Sequence, residues 1–206
     1  MNEKIQNVEL AFLTIDDYQE LKQAMITSYQ TMPNSYWKEE QIEKLLKIFP
    51  EGQVVVKVNG HIAGCALSII IDYDRFDDKH TYKQITGNFT FDTHTSSGDT
   101  LYGVDIFVKP EFRGLRLGRR LYEYRKELCE KMNLKAILFG GRIPNYHKFE
   151  STLSPKEYID KVKLREIHDP VLNFQLSNDF YPVRVLKGYL EGDKGSREFA
   201  VLMKWD

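Results

Sequence analysis

The sequence predicts a single α/β domain over residues 1–206, with a mixed, largely antiparallel sheet of six to seven strands flanked by helices. Three observations point there. Segments of period-two apolar alternation recur along the chain, interleaved with segments of helical period. Asn59-Gly60, between two apolar runs, is a tight-hairpin signal and makes the strands around it antiparallel neighbours. A chain of 206 residues that is 42% hydrophobic and 29% charged is long and apolar enough to bury a core.

Taken in order, Val8 to Leu13 alternate loosely as a first strand. Thr14 with Asp17 three residues on reads as a capping box that opens a helix through about Gln30. Pro33, Asn34 and Ser35 interrupt it, and a second helix is expected from Trp37 to Ile48, with Ile42, Leu45 and Leu46 on one face. Val54 to Val58 and His61 to Ile71 are the two hairpin strands. A polar and aromatic excursion follows, from Asp72 to about Thr100, of a length more often functional than idle. Tyr102, Val104, Ile106 and Val108 alternate as a strand, and the helix after Gly118 carries Leu121, Tyr124, Leu128 and Met132 at helical spacing. Ala136 to Phe139 is a short apolar strand ahead of Gly140-Gly141. Ser154-Pro155 and Asp169-Pro170 each combine an N-cap with proline at the first helical position. Strands over Tyr181–Leu186 and Phe199–Lys204 finish the chain.

Composition narrows the function. A formal net charge of −1 argues against a protein that wraps nucleic acid. No run of about 18 apolar residues is present, so no membrane span is expected. The start, Met1-Asn2-Glu3-Lys4-Ile5-Gln6-Asn7, has no secretory apolar stretch, and Cys65 and Cys129 read as buried free thiols in a reducing compartment. A cytoplasmic protein is the expectation.

The chemistry concentrates between Tyr102 and Asn133. An apolar strand runs through Lys109-Pro110-Glu111-Phe112 into Arg113-Gly114-Leu115-Arg116-Leu117-Gly118 and straight into a helix. The first amides of a helix have no internal acceptors and carry partial positive charge, so a glycine-containing loop there can aim several N–H groups at one anion. Arg113, Arg116, Arg119, Arg120, Arg125 and Lys126 add cationic side chains. Neither Gly-x-x-x-x-Gly-Lys-Ser/Thr nor Gly-x-Gly-x-x-Gly with a following acid occurs, which excludes the nucleoside triphosphate and dinucleotide patterns.

A strand followed by Val-x-Pro-x-x-Arg-Gly-x-x-x-Gly and an amphipathic helix resembles the acetyl-CoA-binding motif of the GNAT (GCN5-related N-acetyltransferase) family. Arg113 and Gly118 match the ends of that motif, while Arg116 replaces its middle glycine. A narrower resemblance lies in Ile85-Thr86-Gly87-Asn88, Phe91-Asp92-Thr93-His94, Gly140-Gly141-Arg142-Ile143-Pro144 and Asp169-Pro170-Val171-Leu172-Asn173-Phe174. These look like the subgroup whose acetyltransferase domain is fused ahead of a carbon–nitrogen hydrolase of the nitrilase type. That resemblance implies a fused hydrolase domain outside this chain, or a free-standing relative, and leaves room for a homodimer.

The family resemblance implies acetyl transfer from acetyl-CoA to an amine of a small molecule or peptide. It implies that coenzyme A is held by Arg113, Gly114, Leu115, Arg116, Leu117, Gly118 and Arg119, with the main chain of Ile106, Phe107 and Val108 bonding the pantetheine arm as an added strand would. Asp105, the carboxylate inside the strand, is the candidate base. For the acid, the family tyrosine of the late helix is missing from Phe174-Gln175-Leu176-Ser177-Asn178-Asp179-Phe180, and Tyr146 and Tyr189 are the substitutes. A non-catalytic acyl-CoA sensor is the alternative, favoured by the lost glycine and the missing tyrosine. The five histidines, 61, 80, 94, 147 and 168, show no metal-ligand spacing. His80 and His94 fit either an acceptor pocket or plain loops, and Asp72, Asp74, Asp77 and Asp78 either attract a cationic amine or are solvated loop charge.

Overall fold

A computed structural model of the chain describes residues 5–30, 32, 35–76 and 79–206. The expectations placed on Met1 to Lys4, Pro33, Asn34, Asp77 and Asp78 lie outside the described residues. The chain forms one seven-stranded sheet in the order β1-β2-β3-β4-β5-β7-β6. The strands are β1 (Val8–Phe12), β2 (Gln53–Val58), β3 (His61–Ile71), β4 (Thr100–Val108), β5 (Ala136–Arg142), β6 (Tyr181–Leu186) and β7 (Ala200–Trp205). Among the described residues only the β4–β5 pairing is parallel; every other neighbouring pair is antiparallel.

Local chemistry accounts for the element ends. Thr14 and Asp17 form the expected box, with Thr14 N–H and Oγ1 donating to Asp17 Oδ2 at 3.0 and 2.9 Å. The box opens a 3-10 turn, and α1 (Tyr18–Ser28) follows. The second helix, α2 (Glu39–Ile48), begins two residues later than its apolar pattern suggests, which leaves Trp37 in the irregular chain ahead of it. Asn59 and Gly60 take φ of 52° and 84°, the positive pair that a two-residue hairpin needs. The excursion holds a short helix, α3 (Tyr82–Ile85), capped by Thr81. The glycines that end the apolar run at Phe139 stay within β5. Side chains there would collide with Tyr189 at Gly140 and with Gln175 at Gly141.

Alternation along the central strands splits the core in two. One face of the sheet packs Val55, Leu67, Ile69 and Tyr102 against Leu21 and Met25 of α1 and Ile42 and Leu45 of α2. The other face carries α4 (Leu117–Lys131), α5 (Pro155–Lys163) and α6 (Pro170–Leu176). There Leu121 meets Val54 and Ala66, and Tyr122 and Leu128 share a cluster with Ile137 and Met203. Each fully buried leucine of this kind contributes about 1.5–3 kcal/mol. The sheet is thereby held rigid on both faces around its centre, where β4 and β5 meet.

Candidate active site

The loop from Pro110 to Arg116 is held open by its own backbone. Pro110–Phe112 makes one 3-10 turn, Gly114 has φ 88°, and Arg116 sits at the N-cap of α4 with φ 58° and ψ 20°. A non-glycine residue in this left-handed region is strained by about 1–2 kcal/mol, which is a physical reason for the glycine that the family pattern has there. The first intrahelical bond runs from Arg120 N–H to Arg116 C=O at 3.3 Å. The N–H groups of Leu117, Gly118 and Arg119 therefore have no partner within α4, and no side chain caps it. Arg113, Gly114, Leu115, Arg116 and Arg119 are exposed around them. Gly118 also has a packing part: a Cβ there would lie 2.5 Å from the ring of Phe174, where α4 meets α6.

Next to this loop the sheet splits. β4 and β5 pair only at Thr100–Ala136, Leu101–Ile137 and Tyr102–Leu138, then part. Beyond Tyr102, β4 keeps β3 on one side, with Ala66 opposite Ile106 and Cys65 opposite Phe107, and among the described residues has no strand partner on the other. Leu67 pairs with Asp105 and Ser68 with Gly103, so Val104 is an extra residue in β4 and bends the strand at the parting. Arg125 of α4 stabilises the bend. Its Nη2 donates to the carbonyls of Leu67 (2.7 Å) and Asp105, and its Nε to Ser68 Oγ at 3.1 Å. The sequence groups Arg125 with the anion-binding arginines. The structure corrects that: it lies at an inward position of α4, on the Leu121–Tyr122 and Leu128–Cys129 face, and is 2% exposed. Lys126 is bound elsewhere, in an ion pair with Asp179 at 2.9 Å.

The parting opens into a cavity of about 480 Å³. Asp105 reaches into it. Tyr29 from the end of α1 donates its hydroxyl to Asp105 Oδ1, and Trp37 Nε1 donates to Oδ2 at 3.1 Å. Burial pushes the Asp105 carboxyl above its ordinary value, against these two hydrogen bonds and the charge of Arg125. Burial, followed by the Asp105 charge, pushes Tyr29 well up, so it remains the donor. Tyr82 braces the bend by donating to Val104 C=O at 2.8 Å. Arg142 of β5 also lines the cavity, gripped by Asp193 through two bonds of 2.7 Å.

Of the two candidate tyrosines, Tyr189 lines this cavity and Tyr146 does not. Tyr189 is 3% exposed and comes from the β6–β7 connection. Tyr146 packs between Tyr158 and Phe199, its hydroxyl donating to Leu153 C=O at 3.0 Å. Neither His80 nor His94 is a cavity residue. His94 Nδ1 accepts from Ile70 N–H at 3.1 Å and its ring stacks on Phe49, while His80 is buried behind Tyr102. Asp72 is tied to Arg75 at 2.8 Å, and neither Asp72 nor Asp74 lines the cavity.

Sequence reasoning misses Tyr29, Trp37, Tyr82 and Arg142 as site residues. Nothing local marks them, because they meet only around the cavity, with Tyr29 reaching Asp105 across 76 residues. Arg125 did leave a signal, as an arginine at an apolar position of an amphipathic helix.

The family model described as "Acetyltransferase (GNAT) family" matches residues 18–148. The chain is 42% identical over 170 residues to "Probable hydrolase YhcX" of Bacillus subtilis, covering 82% of this chain and 33% of that protein. It thus spans about a third of that relative's length. It is 38% identical over 169 residues to "Uncharacterized N-acetyltransferase YkwB" of the same organism, 82% of this chain and 74% of that one. In fold it is similar to the loading GNATL domain of CurA from Lyngbya majuscula, with TM-score 0.84, 23% identity and 98% of both chains covered. It is also similar to the GNAT-like decarboxylase GphF, solved with isobutyryl-CoA, with TM-score 0.74, 18% identity, and 95% and 97% covered.

Proposed function

The chain belongs to the GNAT acetyltransferase family, and on that premise we propose that it moves an acetyl group from acetyl-CoA directly to the amine of a small molecule or peptide. The observation that carries the reading is Asp105, a carboxylate raised by burial and facing a cavity at the sheet's parting. A carboxylate with a raised pKa is a better base for an amine than an ordinary one. In this reading Asp105 takes the amine proton, Tyr29 and Trp37 aim its oxygens, and Tyr189 gives a proton to the departing sulfur. The unpartnered N–H groups of Leu117 to Arg119, with Arg113, Gly114, Leu115 and Arg116, hold the pyrophosphate. The free edge at Ile106, Phe107 and Val108 takes the pantetheine arm. The whole chain, 1–206, acts as one such domain in the cytoplasm.

A thiol-release assay with acetyl-CoA against a panel of primary amines tests this. The expected result is amine-dependent release of free coenzyme A. Binding of acetyl-CoA without release from any amine favours the sensor role instead. A second reading has its own support: Arg142, whose Nε and Nη2 bond Asp193, and Lys38 line the cavity as cations. Such a lining suits an acyl group that itself carries a carboxylate, as in a decarboxylation. Carbon dioxide release from a carboxyacyl-CoA, with no amine required, would select it.

A further inference from the structure

A line of buried polar side chains leads away from the cavity. Tyr189 sits on its wall, packed over Gly140 just beyond the last β4–β5 pair. Its hydroxyl lies 2.8 Å from that of Tyr102, which lies 3.1 Å from Nε2 of His80. All three residues are nearly sealed, with Tyr102 at 0%, His80 at 2% and Tyr189 at 3% exposure. On its far side the His80 ring stands edge-on to Tyr73 and Phe76, with the Tyr73 hydroxyl 3.5 Å from Nδ1. Tyr73 is partly exposed in the turn after β3. The line therefore spans the protein from cavity to surface.

Burying two hydroxyls and an imidazole among apolar side chains is unfavourable unless they bond one another. Phenylalanine at 102 and 189 would fill nearly the same space with no such demand. Each hydroxyl can donate and accept at once, and the imidazole can take a proton at one nitrogen while releasing one from the other. The members come from three separate segments: the excursion, β4 and the β6–β7 connection.

We propose that His80, Tyr102 and Tyr189 form a proton relay that carries a solvent proton to the sulfur leaving the thioester. The relay rests on the acyl-transfer reading above. As the amine nitrogen bonds to the carbonyl carbon, the C–S bond breaks and its electron pair stays on sulfur, while Asp105 accepts the amine's surplus proton. Tyr189 gives its hydroxyl proton to sulfur and is refilled by Tyr102, which is refilled by Nε2–H of His80. His80 takes a solvent proton at Nδ1. One proton leaves the amine and one enters at His80, so charge balances with no further reactant. Among the described residues, the titratable groups whose rings face His80 include Tyr73, Tyr102 and Tyr189. Burial pushes Tyr189 above its ordinary value, and hydrogen bonds from Tyr102 and the Gly140 backbone pull it back. Losing the Tyr102 hydroxyl therefore leaves a poorer donor.

The test is single-turnover release of coenzyme A in mixtures of light and heavy water, with acetyl-CoA and the amine that the panel identifies. Wild type is expected to show a curved dependence on deuterium fraction, the mark of several protons moving together. Tyr102→Phe and His80→Gln are expected to slow release about 10- to 100-fold, part of what a positioned proton donor contributes, and to make the dependence linear, with acetyl-CoA affinity retained. Tyr158→Phe removes another buried hydroxyl, bonded to Asp169 at 2.7 Å in the opposite core cluster, and is expected to change neither. Curvature that survives in Tyr102→Phe and His80→Gln overturns the relay alone. Absence of amine-dependent release in wild type overturns relay and acyl-transfer reading together.

Discussion

The proposed phosphate loop and the Asp105 chamber lie side by side and are built in opposite ways. Residues 113–119 are contiguous, with 113–116 and Arg119 exposed and Leu117 and Gly118 buried, so a run of seven residues carries the whole of the proposed device. The chamber is assembled from the end of α1, the chain before α2 and its first turn, the excursion, β4, α4, β5, α6 and the β6–β7 connection. A loop that offers only N–H groups and arginines can bind, but it has no group there that gains or loses a proton near neutrality. The chamber holds the carboxylate and the phenols that can. Binding and chemistry should therefore come apart under mutation.

Asp105→Asn breaks the comparison hardest. It removes the proton acceptor and keeps the shape, so turnover is expected to fall about 100- to 10,000-fold in the thiol-release assay. The same change is expected to raise the thermal unfolding midpoint at neutral pH. Because the folded Asp105 pKa lies above its unfolded value, the folded state holds the extra proton between the two, and stability declines as pH rises through that interval. The uncharged amide escapes that loss. Wild-type turnover should correspondingly fall as pH drops through a midpoint above the usual carboxylate range.

A smaller effect is expected at the loop. Arg113→Ala with Arg116→Ala should weaken acetyl-CoA binding about tenfold, the scale of one charge-assisted hydrogen bond, and flatten its salt dependence, as followed by calorimetry at two ionic strengths. Gly118→Ala tests whether this glycine serves ligand or packing. The Phe174 contact predicts a loss of about 1–3 kcal/mol in urea unfolding, typical of overpacking, with partial recovery in Gly118→Ala/Phe174→Leu. Smallest of all, Arg116→Gly should relieve the left-handed N-cap and gain up to about 1 kcal/mol in the same assay, while coenzyme A affinity slips.

The contrast also explains what could be read from sequence. Asn59-Gly60, Thr14 with Asp17, Ser154-Pro155 and Asp169-Pro170 act within a few residues of themselves, so hairpin and helix starts were legible. So was the glycine-containing loop that opens α4, whose physics is the start of one helix. Asp105 was legible as a lone carboxylate in an apolar strand. Its donors were not, since Tyr29 and Trp37 reach it only through the tertiary packing of α1 and of the chain before α2 against β4. Tyr146 and Tyr189 look alike in sequence, and only packing separates them: one hydroxyl is spent on Leu153, the other stands at the parting of the strands. Arg125 shows the reverse error, a charge grouped with its exposed neighbours although helical phase turns it inward.

Calorimetric titration of acetyl-CoA into wild-type chain and Asp105→Asn, with thiol release followed on the same samples, tests the division of labour most directly. Dissociation constants are predicted to agree within about twofold, with turnover about 100-fold or more lower in Asp105→Asn. Equal turnover in both, or binding lost with the carboxylate, would contradict it.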